Sequence, residues 1–243
     1  MSSRYEPRTN LGRLVNTFEE TFIAALLGVM TMITFVNVVI RYVFNSSFGR
    51  WLEKVLGIDL PTSLIWGLEV VLVLFAWLVL YGISYGFKIN SHLGVDALLN
   101  VVSRGTGRVL TIVAALLCVF YAMLLMKGAW DYWAPFAGFE ATTGRWFPTG
   151  FDPATRDQAW YETDQIPMLD WLRFLEPIFN EGEPYEKLPR FIPYFILPLG
   201  AALILLRVVQ ATMRVISGYQ ESMIVSHEAE DAVEDVAAMN RED

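Results

Sequence analysis

Charged residues disappear from the chain four times, each time over a length that suits a helix crossing a bilayer. Residues 21–40 (TFIAALLGVMTMITFVNVVI) hold no charge. An α-helix rises ~1.5 Å per residue, so about 20 residues cover a hydrocarbon core of roughly 30 Å. Residues 64–87 carry one charge, Glu69, and residues 109–126 carry none between Arg108 and Lys127. The fourth stretch starts at Phe191, is uncharged to Leu206, and continues past Arg207 towards Arg214. It is short, but the long stem of Arg207 lets its guanidinium reach the interface. Pro193 falls in the first turn, where its missing N–H does no harm, and Pro198 predicts a kink. Arg4, Arg8 and Arg13 precede the first stretch, as basic residues precede a signal peptide. A signal's apolar region, however, is only about 7–15 residues long and ends at a small-x-small site. This one is longer and ends in Arg41-Tyr42, which predicts a retained anchor.

The polar stretches are patterned too. Trp51, Leu52, Val55 and Leu56 form one apolar stripe between the first two spans, with Arg50, Glu53 and Lys54 facing away. Val95, Leu98, Leu99 and Val102 recur at helical spacing between the second and third. Both predict short helices lying in the membrane surface or packing on a partner subunit. Residues 131–190 are long but rich in Trp, Phe and Tyr interleaved with Pro. Disordered segments are poor in aromatics, because they cannot offset the ordering entropy. A compact, proline-cornered cap is expected there, with a short helix near residues 168–180. The tail from Gly218 lacks an apolar face and reads as a frayed helix or a disordered segment. The fold class that follows is an all-α integral membrane protein: four transmembrane helices, short interfacial helices, and an ordered extramembrane insertion between helices three and four. The expected organisation is an N-terminal segment 1–17, spans one to three within 18–130, the insertion 131–190, span four at 191–216 and the tail 217–243.

Composition sharpens this picture. Hydrophobic residues make up 54% and charged residues 18% of the chain, shifted from a soluble average in the direction lipid demands. Of the net charge of −8, the insertion contributes −6 and the tail −7, so the remainder is basic. Without a basic stripe, nucleic acid is not an expected partner. Arg13, Lys88, Arg104, Arg108, Arg207 and Arg214 group on one side of the spans, and Arg41, Lys127 and Arg190 on the other. Basic residues favour the cytoplasmic side, which predicts both termini inside and the insertion outside. The single cysteine, Cys118, lies in an apolar run and reads as a packing residue.

An ionisable residue inside a span is a candidate functional group by default, and Glu69 is the clear case. Its depth allows a partner in Arg41 or Lys127. An Arg41–Glu69 contact, with Asn37 donating as well, is the expectation. Such a pair fixes two helices together, since removing one partner strands a buried charge; a proton or ion relay would need a chain of such groups. His92 and Asp96 stand at i, i+4 and would share a helix face. The only other histidine, His227, is in the acidic tail, too few ligands for a metal site. No span contains a histidine to ligate haem. No glycine-rich phosphate loop, cysteine pair or nucleophile–base arrangement is present, so the chain is expected to have no catalytic, cofactor-binding or metal-binding residues. The many outer acids read as a solvated surface or as a face for a basic docking partner. Trp51, Trp66, Trp130 and Trp133 read as an interfacial girdle.

Read together, these residues resemble the small membrane subunit (DctQ-type) of the TRAP transporters, the tripartite ATP-independent periplasmic uptake systems. The likeness starts at Thr34-Phe35-Val36-Asn37-Val38-Val39-Ile40-Arg41-Tyr42-Val43-Phe44, similar to the family's Asn-Val…Arg-Tyr-x-Phe pattern. It continues through Trp66, Glu69, Trp77, Gly82, His92 and Asp96. Leu68 stands where the family usually has a first acid, and Gly94 where a basic residue is common. The insertion and Lys187-Leu-Pro-Arg-Phe-Ile-Pro-Tyr resemble the larger small subunits of the C4-dicarboxylate branch. The resemblance implies a non-catalytic symport component of the bacterial inner membrane. Its partners would be a large permease subunit (DctM-type), which holds the substrate and sodium sites, and a periplasmic substrate-binding protein (DctP-type). This chain would enlarge the stationary scaffold and help dock the binding protein. Its motif residues Asn37, Arg41, Trp66, Glu69, Trp77, Gly82, His92 and Asp96 would serve structure or interface. The rival expectations are a self-sufficient small transporter or channel, and a membrane anchor for a redox complex.

Overall fold

A computed structural model describes residues 9–89, 103–148, 150 and 161–218. The second surface stripe with His92 and Asp96, and the acidic tail with His227, lie outside the described residues. Helix α1 (Asn10–Val39) passes into a π-helical turn (Ile40–Phe44) and, after a short link, α2 (Ser47–Leu56). Then come α3 (Gly67–Ile89) and α4 (Arg104–Trp133), which tightens into a 3-10 turn (Ala134–Ala137). The fourth span is built from α6 (Phe191–Tyr194) and α7 (Ile196–Ile216), after a short α5 (Glu176–Phe179) in the insertion.

The helix starts have local causes. Thr9 Oγ1 accepts from Gly12 N (3.0 Å), Ser46 Oγ from Phe48 N (3.2 Å), and Ser103 Oγ from Thr106 N (3.4 Å), each satisfying an N–H that has no partner inside the helix. Helix α2 stops at Gly57, whose φ of 66° is left-handed and suits glycine. In the fourth span the effect of Pro198 is a break at Phe195. Pro198 has no N–H, so the Tyr194 carbonyl has no donor four residues on.

Among the described residues, four helices are long and apolar enough to cross a membrane: Asn10–Phe44, Gly67–Ile89, Gly105–Ala137 and Phe191–Ile216. No more than 39% of the most apolar window of any of them is buried. Large apolar side chains such as Phe35, Leu72, Leu117 and Phe120 are instead on the outside. Such a surface would collapse in water and is at rest in hydrocarbon. Cys118 is among the exposed residues, so it faces outward with the apolar side chains rather than packing inside.

Two compact units divide the chain. Of the described residues, the first takes in 9–17, 81–89, 103–126 and 200–218. In it α7 buries Ala201, Ile204, Val208, Ala211 and Val215, whose alternating spacing of three and four makes one continuous helix face. Lys88, only 5% exposed, donates to Asn16 Oδ1 (2.8 Å) and sits over the Tyr85 ring. Arg108 Nη2 reaches the Ile216 carbonyl (3.5 Å).

The second unit takes in Phe18–Leu80 and Lys127–Leu199 and contains the insertion. The expected compact cap is present, but it is not wholly helical. Strands β1 (Glu162–Pro167) and β2 (Lys187–Pro189) pair antiparallel, Glu162 opposite Pro189 and Pro167 opposite Lys187. Between them the expected helix is a 3-10 turn (Asp170–Leu175) followed by α5. Pro177 stands in the first turn of α5, where a proline can begin a helix. One core cluster holds Ile166, Met168, Leu172, Tyr185 and Leu188; a second holds Trp133, Ala134, Ala137 and Phe191. Trp133 is therefore not a girdle residue. It is buried, and its indole N–H, which burial would otherwise leave unsatisfied, donates to the Phe191 carbonyl at 2.8 Å.

Burial pushes the Tyr185 phenol from its usual 10.0 up to about 12, and the carboxylates of Glu162 and Glu176 add to this. The folded chain then keeps a proton that the unfolded chain releases. The stability this represents is complete below pH ~10 and is lost as pH rises through about 12. Alkaline titration followed by near-ultraviolet circular dichroism should show the insertion loosening over that window. Tyr185→Phe should remove most of that pH dependence; an unchanged profile would contradict this assignment.

Candidate functional site

The C-terminal end of α1 with its π turn, the start of α3 and the insertion gather four of the eight motif residues, Asn37, Arg41, Trp66 and Glu69. Glu69 lies in the first turn of α3, and both oxygens of its carboxylate are engaged. Oε1 accepts from Asp164 N (2.9 Å), and Oε2 from Gln165 N (2.6 Å) and Ile166 N (3.2 Å). Three successive backbone N–H groups of β1 thus converge on one side chain. The Arg41–Glu69 contact is not formed. Backbone N–H groups make charge-assisted bonds to a carboxylate and need no long side chain held in place, so three of them on one strand can outcompete a guanidinium. Lys127, the alternative partner, is engaged elsewhere. Its ammonium donates to Asp131 Oδ2 (2.6 Å), Thr142 O (3.1 Å) and Thr142 Oγ1 (3.0 Å). Asp131 Oδ1 in turn accepts from Thr142 N (2.6 Å) and from the Thr142 hydroxyl.

The same device recurs through the insertion. The Glu162 carboxylate accepts from Glu186 N (2.9 Å) and Lys187 N (3.1 Å), and Glu176 Oε1 from Tyr185 N (3.1 Å). Arg190 clamps the strand pair, Nε to the Glu162 carbonyl (2.7 Å) and Nη2 to Asp164 Oδ1 (3.1 Å). The acids read from sequence as a solvated or docking surface therefore include several that hold backbone together. No sequence pattern announces this, because the donors are main-chain groups.

The Asn37…Phe44 motif builds a junction. Asn37 Oδ1 accepts from Leu64 N (3.1 Å) and so ties α1 to the segment entering α3. Arg41 lies exposed in the π turn, and its carbonyl accepts from Asn45 Nδ2 (2.9 Å), which also reaches the Thr62 carbonyl (3.0 Å). Sequence reasoning passed over Asn45, although its place directly after the motif was a signal. Trp66 ends the entry segment half-buried, its carbonyl accepting from Val70 N (3.0 Å). Trp77 gives its indole N–H to the Pro193 carbonyl (2.9 Å) and meets the Phe22 ring edge-on. Trp77→Phe should lose that bond and part of the ring contact, costing at least about 1 kcal/mol; a thermal melt of the purified chain measures it. Gly82 lies in α3 with open space where a Cβ would go, so nothing within the described chain demands glycine there.

Burial singles out two ionisable groups the sequence did not. Because α1 begins at Asn10, Glu19 is inside the helix and only 6% exposed, and Lys88 is buried likewise. Glu69 is thus not alone among ionisable groups in the long helices. Among the described residues, no group of three or more His, Cys, Asp or Glu side chains is placed to hold a metal ion.

Comparison with known proteins matches this chain to a family. Residues 30–150 match the family described as tripartite ATP-independent periplasmic transporters, DctQ component. A C4-dicarboxylate TRAP transporter small permease protein DctQ of Vibrio cholerae is 39% identical over 230 residues, covering 95% of this chain and 84% of that protein. The chain belongs to the DctQ family. A Pseudomonas aeruginosa DctQ protein of the same description is 28% identical over 234 residues, covering 92% of this chain and 94% of its own length. A putative TRAP transporter small permease protein of Haemophilus influenzae is 26% identical over 121 residues, half of this chain and 65% of its own. DctQ proteins are components of transporters and not enzymes. A DctQ chain is one part of a three-part system, and four apolar helices hold this one in the membrane.

Proposed function

We propose that this chain is the non-catalytic small permease subunit of a sodium-coupled importer of C4-dicarboxylates in the bacterial inner membrane. Both termini are cytoplasmic and the insertion is periplasmic. It scaffolds a large DctM-type subunit, which carries the substrate and the sodium ion, and its insertion helps dock a DctP-type binding protein. It binds no cofactor of its own. The observation that carries the scaffold role is Glu69: both oxygens of this motif acid are committed to backbone N–H groups, which suits a fastener and not an ion relay. A transporter acting alone would present polar sites at mid-depth of its helices, whereas residues 21–40, 70–87, 109–126 and 191–206 of these spans hold no charged side chain. The substrate class is supported by the Vibrio cholerae and Pseudomonas aeruginosa relatives, both described as C4-dicarboxylate transporter proteins.

Reconstitution decides between this reading and its rivals. Vesicles carrying this chain alone should accumulate no dicarboxylate. Uptake driven by a sodium gradient should appear when the large subunit and the binding protein are both added. Uptake by the chain alone would overturn the scaffold role. Visible absorbance from the purified chain would instead support the redox anchor.

A further inference from the structure

Helix α2 and the turn after it carry features the scaffold role does not use. Phe48, Trp51, Val55 and Leu56 are each more than half exposed, and Ile58 extends this surface past Gly57. Phe48 and Trp51 stack with ring centroids 5.8 Å apart. The surface continues from the end of the first span, where Val38, Tyr42 and Val43 are also exposed. An amphipathic helix attached to a span by a two-residue link belongs at the boundary of headgroups and acyl chains.

A shallow cavity of about 310 Å3 lies beside this surface, lined by Arg50, Glu53, Lys54, Gly57, Ile58 and Asp59. Four of its six residues are charged, two of each sign. Glu53 uses one carboxylate oxygen on Leu60 N (3.3 Å), and Arg50 one N–H on Ser47 Oγ (3.1 Å). Among the described residues, Arg50, Lys54 and Asp59 take part in no ion pair. Two cations and two carboxylates therefore stand around one hollow at the apolar edge with no ion pair among them, and of the two carboxylates Glu53 is tied to Leu60 N.

We propose that this hollow holds the headgroup of a phospholipid bearing both a phosphate and a primary ammonium, that is, of the phosphatidylethanolamine class. The phosphate is met by Arg50 and Lys54 and the ammonium by Asp59, with the acyl chains along Trp51, Val55 and Ile58. The selectivity follows from charge and hydrogen bonding. A choline headgroup has no N–H to donate to Asp59, and a glycerol headgroup has no positive charge to offset it. A basic protein segment would leave Arg50 and Lys54 facing like charge. This inference stands apart from the transported substrate and needs only that α2 lie at the bilayer.

The test uses the full chain, purified in mild detergent and offered equal amounts of ethanolamine, choline and glycerol phospholipids, with retained lipid identified by native mass spectrometry. The wild-type chain should prefer the ethanolamine lipid by about threefold to fivefold, as one partly exposed charged contact allows. Asp59→Asn should abolish that preference while lipid is still retained. The double variant Arg50→Gln, Lys54→Gln should lower retention of all three. Equal retention by the wild type, or a preference that survives both variants, overturns the proposal. So does loss of a co-purifying protein partner in the double variant with lipid retention unchanged, because α2 would then be a protein contact.

Discussion

Glu69→Gln is expected to loosen β1 from the start of α3 and to raise hydrogen exchange at the amides of Asp164, Gln165 and Ile166. Glutamine keeps one acceptor oxygen but turns an NH2 group towards N–H donors, so at least one of the three bonds to Glu69 is lost and another is opposed. Hydrogen bonds to a charged acceptor contribute ~1.5–3 kcal/mol each when sheltered. The first two amides are exposed, so the expected local loss is roughly 2 kcal/mol, or about 30-fold faster opening. Exchange followed by mass spectrometry over this peptide reads it directly. Arg41→Gln serves as the contrast: it should leave these amides untouched, whereas an Arg41–Glu69 pair would make the two variants alike. Unchanged protection in Glu69→Gln would remove the fastening role.

Gly49→Ala should be more damaging still, for a purely steric reason. A Cβ on Gly49 would stand 1.8 Å from the Phe44 carbonyl oxygen and 2.4 Å from its carbon. Both partners are backbone, so no side chain can swing aside. The π turn and α2 would have to part, at a cost of about 3 kcal/mol. Ser46→Ala, which removes the cap on α2 and the hydroxyl's bond to the Val43 carbonyl (2.6 Å), should cost nearer 1 kcal/mol. Thermal melts of the two variants should separate clearly, and an alanine variant as stable as the wild type would show that this close approach is not needed.

The spans were legible in the sequence because lipid imposes one rule on every residue of a crossing helix, and twenty uncharged residues state it plainly. Their ends were less so. Helix α1 starts at Asn10, where the Thr9 cap begins it; the apolar run gives the bilayer's edge, not the helix's. That difference hid Glu19, which reads as a flanking acid until the helix is seen to enclose it. The amphipathic stripe of α2 was readable, and Gly57 marked its end. The strand pair was not. Its first strand, Glu-Thr-Asp-Gln-Ile-Pro, lacks alternation, and its second is three residues ending in proline. Both persist because Glu69, Glu162 and Arg190 grip their main chain. Charge-matching reasoning therefore assigned Glu69 to the nearest cation, since amides 95 to 97 residues away leave no trace in composition or spacing. Trp133 misled in the opposite way: indoles do collect at interfaces, but this one had a carbonyl available and went inside.

The bond from Trp133 to the Phe191 carbonyl has a consequence for how such chains can vary. It clasps the end of the third span to the start of the fourth, so everything between them hangs from two points that already touch. A module rooted in this way can grow, shrink or be traded for a short turn without prying the helices apart, because the entropy of closing the loop has been met at its base. A shortened chain of this kind would strand Glu69, whose amides depart with the module, and it would need a new donor at that acid before it could do without the old one.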